Sequence, residues 1–289
     1  MEPLQKLFKS SNVVSLRLSL DIGNGSFAIP AAPVVHDAAN GTREPAEFIQ
    51  LTRFLGLFPK LKSLDLDRIP DAALNWNAEP QEPLPKLAAS LRRLNISLHP
   101  HMMDTLLQWL VLDEHIPRVT EVNLSSQNPT DPLPRTVQTF MDALKDGPES
   151  VSISLSGPPT APSLHTGFSE NRSLKYISLD LRIGEALSPE WEFFPAMLLA
   201  SISSTQVEQI DIHIAFCEPL FLAFDWESVN FVLSTPKFAK LTALRIEGSK
   251  MEVSREWEDL VWEEEVHEAL PYAVEKGILE FTYDHIFYH

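Results

Sequence analysis

A short pattern of apolar and polar positions recurs along the chain. Each copy has two apolar residues three positions apart and a third apolar residue two positions later. We call the middle apolar residue of each copy its anchor. The clear copies have the anchors Leu64, Leu94, Val122, Ile177, Ile210 and Leu244, and degenerate copies add Leu16 and Val151. The apolar residues that end each copy alternate with polar ones, which predicts a strand with one face in water.

The stretches between the copies carry apolar residues at the helical spacing of three and four. Each such stripe predicts an amphipathic helix that packs on the strands. The stripes are Phe48, Leu51, Leu55 and Phe58; Met103, Leu106, Leu107 and Leu110; Val137, Phe140, Met141 and Leu144; Trp191, Phe194, Met197, Leu198 and Ile202; and, more weakly, Val229, Phe231 and Val232. We interpret their aromatic and methionine side chains as core residues rather than as the lining of a cofactor pocket.

The spacing of the anchors predicts the architecture. From Leu64 to Leu244, successive anchors are 30, 28, 29, 26, 33 and 34 residues apart, which is close to the period of leucine-rich repeats and slightly beyond it. A strand-like run from Ile278 to Tyr283 would close the series. We therefore predict an α/β fold of the leucine-rich-repeat solenoid type, horseshoe-like, with parallel inner strands and outer helices. One domain would fill residues 1–289, with repeats over 12–251 and an acidic cap helix and last strand over 252–289.

These features resemble a known family. The repeated phrase is similar to irregular leucine-rich repeats over nearly the whole chain, and more narrowly to the leucine-rich-repeat region of fungal F-box-like proteins. The phrases Phe58–Leu64 and Phe238–Leu244 and the closing segment Leu270–Leu279 carry the narrower resemblance. It implies a protein-interaction scaffold such as a substrate-recognition module. No Leu-Pro-x-Glu-like start of an F-box helix precedes the first repeat, so we expect no link to the adaptor subunit of a ubiquitin ligase.

The turns after the strands differ from the common repeat. The Asn or Cys expected three residues beyond the last apolar residue of a copy is replaced at four positions, by Ile69, His99, Gln127 and Arg182. We therefore expect irregular stacking without an asparagine ladder. Four proline-rich loops mark places where the chain leaves a strand or helix. They span Pro30–Pro45, Pro70–Pro85, Pro129–Pro134 and Pro158–Pro162.

Composition and charge narrow the classes of partner. The 44% of hydrophobic residues suffice for a core, and the single cysteine, Cys217, excludes an internal disulfide framework and fits a reducing compartment. Because no long apolar segment is present, we expect an intracellular protein of the cytoplasm or nucleus. The formal net charge of −17 disfavours nucleic acid and membrane surfaces as partners. The segment Ser254–Lys276 is predicted to be a capping helix with a solvated acidic face.

The sequence contains no recognisable catalytic or ligand-binding motif. It has neither a phosphate-binding glycine loop nor a nucleophile elbow, and His99 and His101 lack further residues to complete a zinc site. Asp211 and His213, two residues apart on one strand, are the one plausible acid–base pair, and no nucleophile stands beside them in the sequence. We therefore predict a protein that is not an enzyme and that has no cofactor and no metal. The alternative is an enzyme on a doubly wound α/β sheet.

Binding is expected on the wet face of the strands, where polar residues of successive strands form rows on a concave surface. The candidate residues for an unknown protein partner are Arg17, Asp65, Asp67, Asn95, Asn123, Ser178, Asp180, Asp211, His213, Arg245 and Glu247. They are mostly small, polar and mildly acidic, without the Tyr and Trp side chains that often dominate binding energy. We expect a modest binding site there.

Overall fold

Nine parallel strands form the main sheet of the protein. The structure is a computed structural model that describes residues 14–19, 46–67, 69, 74–75, 86–112, 116, 118–126, 135–156, 168–183, 192–216, 224–251 and 262–286. The strands of this sheet are β1 (Ser15–Ser19), β3 (Ser63–Asp67), β5 (Arg93–Leu98), β6 (Glu121–Ser126), β7 (Ser150–Ser156), β8 (Tyr176–Ile183), β9 (Gln209–Phe216), β10 (Ala243–Met251) and β11 (Leu279–Ile286). Two short strands, β2 (Ala46–Glu47) and β4 (Leu74–Asn75), pair with each other.

Helices occupy most of the connections between the strands. They are α1 (Phe48–Leu55), α2 (Pro100–Leu112), α3 (Thr136–Leu144), α4 (Phe194–Ser201), α5 (Trp226–Leu233), α6 (Trp262–Ala269) and α7 (Pro271–Glu275), with a 3₁₀ turn at Pro236–Phe238. The protein is therefore an α/β fold with an all-parallel sheet. Among the described helices, none is both long and apolar enough to cross a membrane.

The strands lie in the sheet in the order in which they occur in the chain. Their pairing places every predicted anchor in one row, which runs through Leu16, Leu64, Leu94, Val122, Val151, Ile177, Ile210, Leu244 and Leu279. The degenerate copy at Val151 therefore has the same register as the others. A doubly wound sheet reverses its strand order at a switch point, and this sheet has no such reversal within its nine strands.

The core lies between the sheet and the helices. The anchors from Leu64 to Leu244 and the apolar residues two positions beyond them are buried, as the alternation predicted, and Leu279 and Phe281 on the last strand are partly buried. The first apolar position is buried too in the copies from Leu61 to Leu241, and in the copy anchored at Val151 Pro148 fills it. The predicted stripes on α2 and α3 are buried completely. Sheet and helices therefore share one apolar cluster.

The prediction that Met197 and Phe231 are core residues is wrong. Met197 on α4 is 37% exposed, and Phe231 on α5 is 72% exposed. Because a helix turns by about 100° per residue, Phe231 lies about 200° from the buried Val229. On α4, the buried pair Leu198 and Leu199 turns Met197 outward. Trp191, from the same predicted stripe, lies outside the described residues.

A repeated backbone contact joins each unit to the next. The carbonyl two residues before each anchor accepts hydrogen bonds from two successive amides of the following unit, at 2.7–3.3 Å. The accepting residues are Val14, Lys62, Arg92, Thr120, Glu149, Lys175 and Glu208. This ladder fixes the point at which each strand enters the sheet, from β1 to β10.

Two buried polar side chains hold the ends of helices and turns. The Asn171 side-chain amide donates to the carbonyl oxygens of Met141 at 3.1 Å and Lys145 at 2.6 Å, and Lys145 has a positive φ of 49° after α3. The Ser204 hydroxyl contacts the carbonyls of Arg172 at 2.9 Å and Leu174 at 2.7 Å. Asn171 and Ser204 each therefore bind the backbone carbonyls of one turn, in contrast to a ladder in which the same asparagine recurs in every unit.

The C-terminal region has two helices where the sequence predicted one from Ser254 to Lys276. Helix α6 ends at Ala269 and α7 begins at Pro271. Proline has no amide hydrogen and disfavours a helical conformation of the residue before it, and Leu270 has a φ of −120° and a ψ of 50°. The predicted last strand is confirmed as β11. Cys217, Ser254 and the proline-rich loops, apart from β4, lie outside the described residues.

The two faces of a single strand give a direct stability test. We expect Leu124→Ala to lower the free energy of unfolding by about 2–5 kcal/mol, because it leaves a cavity in the core. The adjacent Asn123→Ala should change it by about 0.5 kcal/mol or less, since that side chain is exposed. Urea denaturation of both variants measures the difference. Equal losses would contradict the strand orientation.

The Asn171 contacts predict a second stability effect. Asn171→Ala leaves the carbonyls of Met141 and Lys145 without their side-chain donor, which should cost about 1–3 kcal/mol. The same substitution at the exposed Asn123 is the matched control. Hydrogen exchange should also show faster opening at the end of α3 in Asn171→Ala, and unchanged exchange there would argue against the proposed capping.

Candidate functional site

Two rows of polar side chains run across the face of the sheet that points away from the core. One row stands one residue after each anchor, and it includes Arg17, Asp65, Asn95, Asn123, Ser178, Asp211 and Arg245. The other stands three residues after the anchors, and it includes Asp67, Asp180, His213 and Glu247. All eleven candidate residues therefore lie on one surface, which we call the polar face.

Ionic and amide contacts join the first strands of the polar face. Arg17 lies 3.4 Å from a carboxylate oxygen of both Asp65 and Asp67. The Asn95 amide donates to the other oxygen of Asp65 at 2.8 Å. The side chain of Arg17 is 67% exposed, so its ion pairs contribute little to stability. The single positive charge of Arg17 is shared by the two carboxylates and compensates half of their negative charge.

The middle of the polar face has small neutral side chains. Strands β6 and β7 contribute Asn123, Ser125, Ser152 and Ser154 to the two rows. Asn123 is exposed, and Ser125 and Ser152 are half-buried. We call Asn123, Ser125 and Ser152 the central strip. Its side chains offer amide and hydroxyl groups without a charge.

A hydrogen-bond network centred on His213 crosses four strands. Its Nδ1 lies 2.9 Å from Asp180 Oδ1, and its Nε2 lies 2.7 Å from the Ser249 hydroxyl. The other oxygen of Asp180 accepts from Ser154 at 2.9 Å and from Arg182 at 3.0 and 3.1 Å. The network thus joins β7, β8, β9 and β10.

The predicted pairing of His213 with Asp211 is wrong. Residues two apart on a strand are separated by about 6.6 Å along it. Asp180 instead stands directly opposite His213 in the parallel register, across an interstrand gap of about 4.8 Å. Asp211 accepts hydrogen bonds from the Tyr176 hydroxyl at 2.6 Å and from Gln209 at 3.0 and 3.2 Å.

The network shifts the acid–base properties of both its titratable members. The hydrogen bond to Asp180 raises the pKa of His213, aided by the charges of Asp180 and Glu247 and opposed by burial and by Arg182. Burial alone would raise the pKa of Asp180, but hydrogen bonds from His213, Ser154 and Arg182, with the charge of Arg182, hold it below its usual value. The pair therefore favours imidazolium beside carboxylate.

Ser249, His213 and Asp180 have the connectivity of a nucleophile, base and orienting acid. The Ser249 side chain, however, is fully buried, whereas a nucleophile must reach its substrate. Strand β10 is also paired on both sides at Ser249, so the nearby backbone amides serve the sheet rather than an oxyanion hole. We interpret Ser249 as a buried partner that orients the imidazole.

Several side chains on the polar face were missed by the sequence analysis. Tyr176, Gln209 and Arg93 stand one residue before an anchor, and Arg182 and Ser249 stand five residues after one. Tyr176 corrects the expectation that the face lacks an aromatic residue. Burial and the bond to Asp211 raise the pKa of its hydroxyl. Like the candidate residues, these residues stand an odd number of positions from their anchors and therefore on the same face of the sheet. This alternation could have identified them from the sequence.

Ion pairs also close the far end of the face. Arg245 lies 2.6 Å from Glu280 on β11, and Arg93 pairs with Glu121 nearer the start.

Among the described residues, no group of three or more His, Cys, Asp and Glu side chains could hold a metal ion. The His99 and His101 rings stack at 6.2 Å, where α2 begins. In comparisons with known proteins, no family model and no curated protein matches the chain.

The His213 network predicts a pH-dependent stability. Because the pKa of folded His213 lies above its unfolded value of 6.5, its contribution is complete below that pH and is lost as the pH rises through the folded pKa. Asp180, whose pKa is lowered from 3.8, protonates only at lower pH. The free energy of unfolding of wild type should therefore be about 1–3 kcal/mol higher than that of His213→Gln near pH 5.

Urea denaturation across roughly pH 4–9, which starts above the titration of Asp180 and passes well above the unfolded pKa of His213, measures this difference. We expect it to shrink above neutrality. His267→Gln, a change to an exposed imidazole on α6, is the matched control. A pH-independent difference between wild type and His213→Gln would show that His213 does not gain a proton with folding.

Proposed function

We propose that this chain is a leucine-rich-repeat solenoid that binds a protein partner on its polar face. Three features support the solenoid. From β3 onward one strand enters the sheet per unit of 26–35 residues, the strands keep the order of the chain, and helices cover one face of the sheet. Units that cannot bury their apolar face alone become stable by stacking in this way.

The narrower relationship belongs to the same proposal. We infer that the units are related to the leucine-rich-repeat regions of fungal F-box-like proteins. Phe58 and Phe238, which open the two resembling phrases, each stand six residues before an anchor and are each buried. They therefore have equivalent places in units that are far apart in the chain. This equivalence supports a shared repeat design, with protein recognition as its use.

The observation that carries the binding proposal is the pair of polar rows, which continue across the seven neighbouring strands from β3 to β10. On either side of the central strip, charged side chains form ion pairs, Arg17 with Asp65 and Asp180 with Arg182, and Asp211 is held by hydrogen bonds from neutral groups. The central strip offers Asn and Ser groups to a partner without the need to break an ion pair. A partner would therefore contact the strip directly and meet the flanking networks at its two ends.

We favour binding over catalysis because of the burial of Ser249. The His213 network has the groups of an acyl-transfer site, but its hydroxyl is not reachable from solvent. The hydrogen bond to Asp180 also raises the pKa of its imidazole, which favours the protonated form that cannot act as a base. The same network is well suited to hold four strands in a rigid polar surface. Rigid surfaces lose less conformational entropy when they bind.

A four-site variant tests the proposal. Asp65, Asn95, Asn123 and Asp211 are changed together to Ala, and the tagged chain is used to capture partners from its native cells for quantitative mass spectrometry. We expect the main partner to be depleted about tenfold or more, which corresponds to about 1.4 kcal/mol of lost binding free energy. Circular dichroism confirms that the variant folds.

The matched control carries the same number of substitutions and the same change in charge away from the polar face. It replaces four exposed residues by Ala: Gln108, Thr139, Glu170 and Glu208. The control should capture the partner as wild type does. Equal capture by wild type and the four-site variant would refute the polar face as the binding surface. Recovery of ubiquitin-ligase subunits with wild type would identify the pathway.

A further inference from the structure

Large apolar side chains are exposed together on the helical side of the protein. Among the described residues, five large hydrophobic side chains are exposed, and four of them lie on or beside α4, α5 and α7. They are Phe193 at 46%, Met197 at 37%, Phe231 at 72% and Val274 at 42%. The fifth, Val14, lies at the other end of the sheet. We call the group of four the helix patch.

Met197 and Phe231 occupy equivalent positions in neighbouring units. They are 34 residues apart, which is also the separation of the paired anchors Ile210 and Leu244. Helices α4 and α5 contact each other, and neighbouring helices pack at about 8–10 Å. The two side chains therefore project side by side from adjacent helices, in the same direction away from the core.

The other two members extend this surface along and across the helices. Phe193 precedes Met197 by one helical turn, and the Met197 amide donates to the Phe193 carbonyl at 3.0 Å. Val274 belongs to α7, which is fixed to α5 by a hydrogen bond from the Tyr272 amide to Asn230 at 3.0 Å. Asn230 is the residue immediately before Phe231. The patch thus spans three helices that contact one another in sequence.

Acidic side chains surround the helix patch. Glu227 on α5, Glu264, Glu265 and Glu268 on α6, and Glu275 on α7 are all exposed, and α6 packs against both α5 and α7. The nearby lysines are engaged in contacts of their own. Lys237 donates to the Ala200 carbonyl, Lys240 to Gln206, and Lys276 lies over the Tyr272 ring. These partners are neutral, so the three ammonium charges remain, and the five glutamates outnumber them and give the border a net charge of −2.

We propose that the helix patch is a docking site for an amphipathic helix with an apolar stripe flanked by Lys or Arg. Exposed apolar patches with a polar border are typical of protein-binding surfaces, and amphipathic helices bind such surfaces through residues spaced by three and four. The anionic border complements basic flanks. A second copy of this chain does not fit, because a two-fold contact through the same patch would bring two acidic borders together.

This site is independent of the proposed function of the polar face. The helices cover the opposite side of the sheet, so a partner on the helix patch would leave the central strip accessible. Substitutions in the patch should accordingly leave capture by the polar face unchanged. The two binding proposals therefore succeed or fail separately.

A peptide probe tests the helix patch. The probe is a fluorescent peptide of about 18 residues, with leucines on one helical face and lysines on the other, titrated with the full chain and followed by fluorescence anisotropy. We expect saturable binding that Phe231→Ser weakens about tenfold or more, as for an aromatic hot spot. Val14→Ser changes the one large hydrophobic side chain that is exposed outside the patch among the described residues, and this variant should bind as wild type does.

Charge variants and the oligomeric state complete the test. Glu227→Gln with Glu268→Gln should weaken binding of the peptide, whereas Glu170→Gln with Glu208→Gln, the same charge change elsewhere, should have less effect. No binding by wild type, equal binding by Phe231→Ser, or equal binding of a peptide with Glu in place of Lys would overturn the proposal. So would sedimentation that shows a wild-type dimer and a monomeric Phe231→Ser, because the occupant would then be a second copy.

Discussion

One backbone carbonyl in each unit, two residues before the anchor, accepts two successive amides of the next unit. This shared acceptor fixes where each strand begins relative to the one before it. A slip by one residue would lose both bonds and would turn the apolar residues to the wet face. The loops and helices absorb the differences in unit length. The register therefore survives spacings of 26–35 residues, including the unit in which Pro148 replaces an apolar residue.

The same register determines the chemistry of the polar face. Residues at equal distances from their anchors stand side by side on adjacent strands, where opposite charges attract and like charges repel. In this chain Asp65 stands beside Asn95, Asp180 beside His213, and Asp211 beside Arg245. Each of these carboxylates thus has a neighbour that can donate a hydrogen bond or compensate its charge. The polar networks depend on which residues the register places side by side, so a change of register would break their hydrogen bonds and ion pairs.

Local patterns were enough to predict the strands and most of the core. The anchors, including Val151, could be identified because period-two alternation and the return after about thirty residues both lie in the sequence. The partner of His213 was missed because it stands 33 residues away, on the next strand. Asp180 and His213 were both candidates three residues after an anchor, but they were not compared across strands. The break at Pro271 was likewise visible in the sequence.

The exposure of Met197 and Phe231 could not be predicted in the same way. On a helix of eight residues, apolar positions on more than one side are compatible with helical spacing. Which side is buried depends on the neighbouring helices and on the sheet. Trp226, Val229 and Leu233 complete the core side of α5, so Phe231 has no place there. Periodicity thus gives the helix, and tertiary packing decides its orientation.

The polar face and the helix patch differ in the arrangement of their charged side chains. On the described polar face, Arg17, Arg93, Arg182 and Arg245 each pair with a carboxylate, so these four positive charges are compensated within a surface of hydrogen-bonding groups. Around the helix patch, five exposed glutamates outnumber three lysines, whose contacts are with neutral groups. Compensated surfaces select by geometry, whereas an uncompensated border attracts from a distance and is screened by salt. The two proposed sites, on opposite sides of one sheet, would thereby select their partners in different ways, by geometry on the polar face and by charge at the helix patch.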